Sequence, residues 1–151
     1  MTELLKKVPH ILLVEDNEQD EVLTIKALKK NRVLNEIIVA RDGAQAIEFL
    51  FSDSGEYHTK THGLLPQLIL LDLKLPKMDG LEVLKKIRAN PKTKFIPVVI
   101  LTTSKEDKDI INGYGNGANS YVRKPVDFNE FTLAVQNLGT YWLLLNEQPP
   151  E

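Results

Sequence analysis

Cysteine is missing from all 151 residues, which removes disulfides, thiolate metal ligands, thiol catalysis and any thioether-linked chromophore. No apolar run approaches the roughly 18 residues of a membrane-spanning helix, and residues 1–9 lack the apolar core and small-residue cleavage site of a secretory signal. A surplus of one charge is missing as well: 19 Lys and Arg stand against 21 Asp and Glu, with both signs interspersed. There is accordingly no broad basic footprint for nucleic acid and no helix-turn-helix segment. Lys6, Lys7, Lys29, Lys30, Lys85, Lys86 and Arg88 read as solvated helix and terminal residues. These absences imply a cytoplasmic protein that engages neither membrane nor nucleic acid. A chain of this length folds as about one domain and buries roughly 70% of the surface of its unfolded form.

What is present is an alternation of short apolar runs with longer segments of helical period, the pattern of βαβ units on a parallel sheet. The runs predict strands at 10–14, 36–40, 68–71, 98–101 and 120–123. Helices are predicted over 20–30, 43–51, 80–89 and 105–114, with a fifth beginning after Pro125 and capped by Asp127. The 105–114 helix is short and weakly apolar, so it is expected to be the most mobile. The polar stretch 52–66, with His58 and His62, exceeds the usual connection length and reads as an inserted loop, its histidines solvated rather than metal-binding. The expected fold is α/β: a doubly wound five-stranded parallel sheet flanked by five helices, with an extended C-terminal helix. One domain is expected over 1–151, with its core at about 8–138 and a tail over 139–151.

Asp72 is the feature on which a functional reading turns. It ends an apolar run that reads as a strand buried on both faces, where a charge is costly unless it sits at the mouth and is paired. Open α/β sheets bind ligands at the carboxyl ends of their strands. There the predicted elements align Glu15 and Asp16 after the first strand, Asp72 after the third, Thr102 and Thr103 after the fourth, and Lys124-Pro125 after the fifth. Three converging carboxylates repel unless a cation joins them, and an oxygen-only donor set with room for water and phosphate fits Mg²⁺, with Mn²⁺ an acceptable substitute. A carboxylate nucleophile, a hard cation, an ammonium and a hydroxyl are together what phosphoryl transfer onto Asp requires.

Each piece also has an ordinary reading. Glu15, Asp16 and Asn17 could cap a helix, Asp79-Gly80 could be a turn, residues 102–104 a helix start, and Lys124-Pro125 a strand exit. Their occurrence together, each at the matching strand end, outweighs those readings.

These residues resemble the receiver domain of two-component response regulators. The resemblance runs from Val8 to Leu138 and rests on Ile11-Leu12-Leu13-Val14-Glu15-Asp16, Leu70-Leu71-Asp72-Leu73-Lys74-Leu75-Pro76-Lys77-Met78-Asp79-Gly80, Pro97 to Ser104 and Gly117 to Pro125. It implies a flavodoxin-like receiver fold in which Asp72 accepts phosphate from a histidine kinase. Glu15, Asp16 and Asp72 would bind Mg²⁺ together with the backbone carbonyl of Lys74, a residue that is cationic where smaller polar ones are frequent. Thr102 and Tyr121 match a switch pair, hydroxyl moving to phosphoryl and ring rotating inward, and Lys124-Pro125 matches a bond that is cis in the family. Outside the core motifs, Gly55-Glu56-Tyr57 and the tail 138–143 look like the small receivers that partner cyanobacterial and bacterial phytochromes. On that likeness the kinase is a red-light-sensing bacteriophytochrome or cyanobacterial phytochrome, which carries the bilin; this chain has no chromophore of its own.

Phe128, Phe131, Val135, Leu138, Trp142 and Leu145 recur at helix-seam spacing, interrupted by Gly139. Beyond Gly139 the apolar residues continue where the sheet is expected to end. Homodimerisation through Phe131, Leu138, Tyr141, Trp142 and Leu145 is therefore expected over folding back within the chain. Nothing after Leu145 reads as an output domain, so the chain is expected to act as a stand-alone phosphoacceptor rather than an enzyme. Two alternatives remain: a degenerate receiver used as a scaffold, disfavoured because the acids, Thr102 and Lys124 are all present, and an Asp-nucleophile phosphatase, disfavoured because Lys74 stands where that class needs a second acid.

Overall fold

The computed structural model describes residues 9–30 and 35–150. The expectations for 1–8, including Lys6, Lys7 and the start of the core at Val8, lie outside the described residues.

All five strands form: β1 (His10–Val14), β2 (Glu36–Ala40), β3 (Leu68–Leu71), β4 (Val98–Thr102) and β5 (Ser120–Arg123). They pair in parallel in the order β2-β1-β3-β4-β5. Six helices flank them: α1 (Glu18–Lys29), α2 (Gly43–Phe51), α3 (Glu56–Thr61), α4 (Gly80–Ala89), α5 (Asp107–Gly115) and α6 (Phe128–Gly139), the last running on as a π-helical segment, Thr140–Leu145. Among the described residues no helix is long and apolar enough to cross a membrane.

The unbroken apolar runs of the central strands follow from covering both faces. Leu12, Val14, Ile69, Leu71, Val98 and Ile100 join Ala46, Leu50, Val83, Leu84 and Ile87, from α2 and α4, in one core. Their neighbours Ile11, Leu13, Leu68, Leu70, Val99 and Leu101 join Ala27, Leu28, Phe131 and Val135, from α1 and α6, in the other. Strand order reverses direction at β1, so the carboxyl ends of β1 and β3 open side by side, the position at which such sheets take ligands.

Several expectations change, among them the start of α1, at Glu18 rather than residue 20. The 52–66 stretch is not an unstructured insert but contains α3, too short for its period to show in the sequence. Tyr57 fixes it, stacking on Phe49 with ring centroids 4.6 Å apart and placing its hydroxyl 2.7 Å from His10 Nε2. His62 is the left-handed C-cap residue of α3, with φ 56°, and neither His58 nor His62 belongs to the cluster that could hold a metal. Helix α5 begins at Asp107, two residues after the expected start.

The C-terminal stripe also behaves differently from the dimer reading. The helix does pass through Gly139, which is buried and helical at φ −60°. Phe131 is only 4% exposed, and Leu138, Trp142 and Leu143 pack against the chain's own core beneath α1 and α6. The wider π turn carries Tyr141, Leu144 and Leu145 out to solvent instead. The tail then folds back over the amino ends of the strands, where Trp142, Asn146, Glu147 and Pro149 face Arg88, Phe95 and Asn119 across a cleft, and Gln148 Nε2 donates to the Gln67 carbonyl at 3.4 Å. Phe131 is thus buried within the chain, whereas Leu138 and Trp142 pack on its core and stay half-buried.

Candidate functional site

The site is assembled by strand exits. β1 hands the chain to Glu15 and Asp16, and α1 does not need either as its cap, because Asn17 Oδ1 accepts from the Asp20 amide at 2.9 Å. β3 hands it to Asp72, whose backbone amide still pairs with the Val14 carbonyl at 3.1 Å. Asp79 caps α4 by accepting from the Glu82 amide, and Gly80 lies so close behind Asp72 that an added Cβ would sit 2.2 Å from the Asp72 carbonyl oxygen. The Asp-Gly pair is thus more than a turn: only glycine lets α4 begin against the backbone of Asp72.

Glu15, Asp16 and Asp72 bring carboxylate oxygens within 4.8 Å of one another, the one such cluster of acids and histidines among the described residues. Glu15 and Asp72 are buried and Asp16 is exposed. From β5, Lys124 reaches into the cluster and donates from Nζ to Glu15 Oε1 at 2.5 Å, Asp20 Oδ2 at 2.9 Å and Asp72 Oδ2 at 3.0 Å. Its own amide bonds the Thr102 carbonyl at 2.6 Å. No cis peptide bond occurs among the described residues, so the Lys124-Pro125 bond is trans, contrary to expectation. Lys124 reaches the carboxylates from this trans arrangement because its backbone stays in register with β4.

One ammonium faces four carboxylates, counting Asp20. Burial raises the Glu15 pKa to about 7 even against the pull of Lys124. Burial works against the Lys124 charge too, but Asp72, Glu15 and Asp20 outweigh it and hold its pKa above the ordinary lysine range. The donor set accommodates a hard divalent cation: Lys124 takes one oxygen each of Glu15 and Asp72, leaving Glu15 Oε2 and Asp72 Oδ1, which accept only the amides of Asn17 and Lys74 at 3.3 and 3.2 Å, together with the Asp16 carboxylate. The Lys74 side chain is exposed and directed at none of these groups by any bond.

Thr102 is fully buried, and its hydroxyl oxygen accepts from the Ser104 amide at 3.5 Å. Tyr121 does not touch the carboxylates; its hydroxyl donates to the Ser104 carbonyl at 2.9 Å, and Ser104 Oγ in turn donates to Asp109 Oδ2 at 2.5 Å. An added Cβ on Gly113 would meet Ile100 Cδ1 at 2.7 Å and the Tyr121 ring at 3.2 Å, so α5 closes on that ring through its glycine. Both members of the expected switch pair are thereby tied to one residue, Ser104, in the loop between β4 and α5. Sequence reasoning missed Ser104, Asp109, Gly113 and Asp20. Asp20 carried a signal, since it lies one helical turn beyond Asp16; the others are polar or small residues in a segment without strong period. Of the expected residues, Glu15, Asp16, Asp72 and Lys124 come together, Thr102 lies at the adjoining strand end, and Tyr121 stands behind the loop. Phe131, Leu138, Tyr141, Trp142 and Leu145 lie elsewhere.

The family model for the response regulator receiver domain matches residues 11–136. Response regulator Rcp1 of Synechocystis is 44% identical over 133 residues, spanning 88% of this chain and 88% of that protein. A probable methanogenesis regulatory protein, FilR2 of Methanothrix harundinacea, is 40% identical over 92% of this chain and 86% of its own length. Among solved structures, the phosphorylated cyanobacterial phytochrome response regulator RcpA superposes with a TM-score of 0.86 at 38% identity, covering 95% of this chain and 99% of that one. The Mn²⁺-bound form of Rcp1 gives 0.85 at 42%, covering 94% and 99%. With the site geometry and the five-stranded order, these likenesses establish that the chain belongs to the response regulator receiver family.

Proposed function

We propose that the protein is a stand-alone response regulator that accepts a phosphoryl group on Asp72 from a histidine kinase, in a reaction dependent on Mg²⁺. The observation that carries this reading is the Lys124 ammonium seated among Glu15, Asp20 and Asp72 with further carboxylate oxygens left over. Glu15, Asp16 and Asp72, with the Lys74 carbonyl, would hold the cation. When bound, it would neutralise charge on the phosphoryl oxygens. An Asp72 carboxylate oxygen attacks phosphorus, the new P–O bond forms as the bond to the kinase imidazole breaks, and the imidazole departs with that electron pair. Lys124 meets the charge on the equatorial oxygens, and the Thr102 hydroxyl turns from the Ser104 amide toward one of them. Tyr121, bonded to Ser104, follows the loop, so α5 and the β5 edge change together as the output.

A phytochrome-type kinase is the proposed donor. The likeness to RcpA, a cyanobacterial phytochrome response regulator, and to the bacteriophytochrome response regulator AtBRR, 49% identical over 93% of this chain, supports that choice. The proposed homodimer contact moves to the exposed Tyr141, Leu144 and Leu145.

The test is incubation with Mg²⁺ and acetyl phosphate. The expected outcome is one acid-stable, base-labile phosphoryl group per chain, abolished in Asp72→Asn and in excess chelator. Incorporation that survives Asp72→Asn, or none at all in the parental chain, rejects the assignment.

A further inference from the structure

The Lys124 ammonium has three N–H bonds, and all three are occupied: Glu15 Oε1 at 2.5 Å, Asp20 Oδ2 at 2.9 Å and Asp72 Oδ2 at 3.0 Å. A phosphoryl group on Asp72 would bring about −1.5 to −2 charges and three acceptor oxygens, and it can draw on Lys124 only if one existing bond is given up. The three partners differ in what they lose. The Glu15 side chain is 2% exposed, so releasing it strands a buried carboxylate. The Asp72 oxygen belongs to the group being phosphorylated. The Asp20 side chain is 26% exposed, so water can take the place of the ammonium. Its helix does not depend on that bond, because the Asp20 backbone amide is capped by Asn17 Oδ1.

We propose that Asp20 is a positioning residue that acts through Lys124: it occupies one ammonium proton in the unphosphorylated protein and competes with the phosphoryl group for it, setting how readily the site fills. The proposal rests on the phosphoacceptor reading above. In its terms Asp20 is the contact surrendered on phosphorylation, which also makes the first turn of α1 a second element, besides the β4–α5 loop, whose environment changes.

The test measures half-saturation by beryllofluoride, a phosphoryl mimic, in Mg²⁺ by NMR, and half-saturation and maximal rate with acetyl phosphate. In Asp20→Asn both half-saturating concentrations are expected to fall about fivefold, as removal of a partly exposed ion-pair partner implies, with maximal occupancy and maximal rate unchanged. Asp20→Glu is expected to return toward the parental value. Glu18→Gln, which removes an equal charge from an exposed position in the same turn, is expected to move neither. Unchanged or raised half-saturation in Asp20→Asn overturns the proposal, as does an equal shift in Glu18→Gln, which would make the effect one of general charge. A parental chain that takes up neither ligand rejects the phosphoacceptor reading itself, and that result is visible before any Asp20 variant is made.

Discussion

At the carboxyl ends of the strands one ammonium is shared among carboxylates whose remaining oxygens accept at most a long backbone amide bond, whereas at the amino ends Arg88 and His10 are committed to partners with nothing to exchange. Lys124 holds three acids, which on the proposed function a cation or phosphoryl group would reclaim. Arg88, at the end of α4, donates to the carbonyls of Gly117 at 2.8 Å, Lys94 at 3.0 Å and Ile96 at 2.8 Å and to Asn119 Oδ1 at 2.8 Å, closing the entries to β4 and β5. His10, entering β1, is held by Tyr57. The difference separates two uses of burial: both ends desolvate charge or polarity, but only the end with surplus acceptors can change partners without unfolding. On the proposed function, a rigid amino end would let the exchange at the other end move the β4–α5 loop rather than the sheet.

The sharpest way to break this comparison is Arg88→Ala. It leaves the Ile96 and Gly117 carbonyls without their donor, and a loss of about 3 kcal/mol is expected from urea unfolding at pH 7. Arg88→Lys is expected to recover little, since a single ammonium cannot span the same acceptors. Below the unfolding transition, the extent of Asp72 phosphorylation at saturating acetyl phosphate is expected to stay parental. If it fell while the fold held, the two ends would not be separable.

An effect no larger is expected from His10. Burial depresses its pKa to about 4, with Glu36 pulling weakly the other way. The unfolded chain then binds the proton more readily than the folded one between pH 6.5 and 4. The stabilisation is fully present above 6.5 and is lost as pH falls through about 4. Its size is about 3 kcal/mol at most, since His10 is buried. Carboxylates titrate in the same window, so the measurement is the stability difference between the parental chain and His10→Gln, which should shrink between pH 7 and pH 4.5. A difference that stays flat would mean that His10 is not held neutral and that the amino end also carries an exchangeable charge.

How far these features were readable in sequence depended on the length scale of the signal. The strands were legible because burial on both faces makes each run apolar throughout, and β1, β2, β3 and β5 form at the expected residues. Glu15, Asp16, Asp72 and Lys124 were legible because each sits at a strand end, a position that the topology converts into proximity. Helix α3 was not, since a six-residue helix anchored by Tyr57 leaves no period to detect. The fate of Trp142 was not either: a helical stripe looks the same whether it covers its own sheet or a second chain, and only the reach of the sheet face decides. Arg88 read as a solvated helix residue because three of its four acceptors are backbone carbonyls 6 to 29 positions away, and a carbonyl has no letter in the sequence.

The smallest expected effect returns to the carboxyl end, in the loop between Asp72 and α4. Lys77 there adopts the left-handed region at φ 68°, which costs a residue with a Cβ about 1 kcal/mol. The turn is needed because the loop packs on the start of α2: the Gly43 amide bonds the Pro76 carbonyl at 3.4 Å, and an added Cβ on Gly43 would stand 1.9 Å from the Met78 carbonyl oxygen. Lys77 contributes little to offset its strain, since its own end of the ion pair with Asp42 at 3.5 Å is 70% exposed. In Lys77→Gly the relieved strain exceeds the greater freedom of glycine in the unfolded chain, so a net gain of about 0.5 kcal/mol is expected, or about 1–2 °C in Tm by calorimetry. Phosphorylation of Asp72 is expected to be unaltered, because the acceptor is placed by β3 and Gly80 rather than by Lys77. A lowered Tm would show that the Asp42 pair outweighs the strain, and a changed phosphorylation rate would show that the exchangeable end depends on a stressed backbone as well as on surplus oxygens.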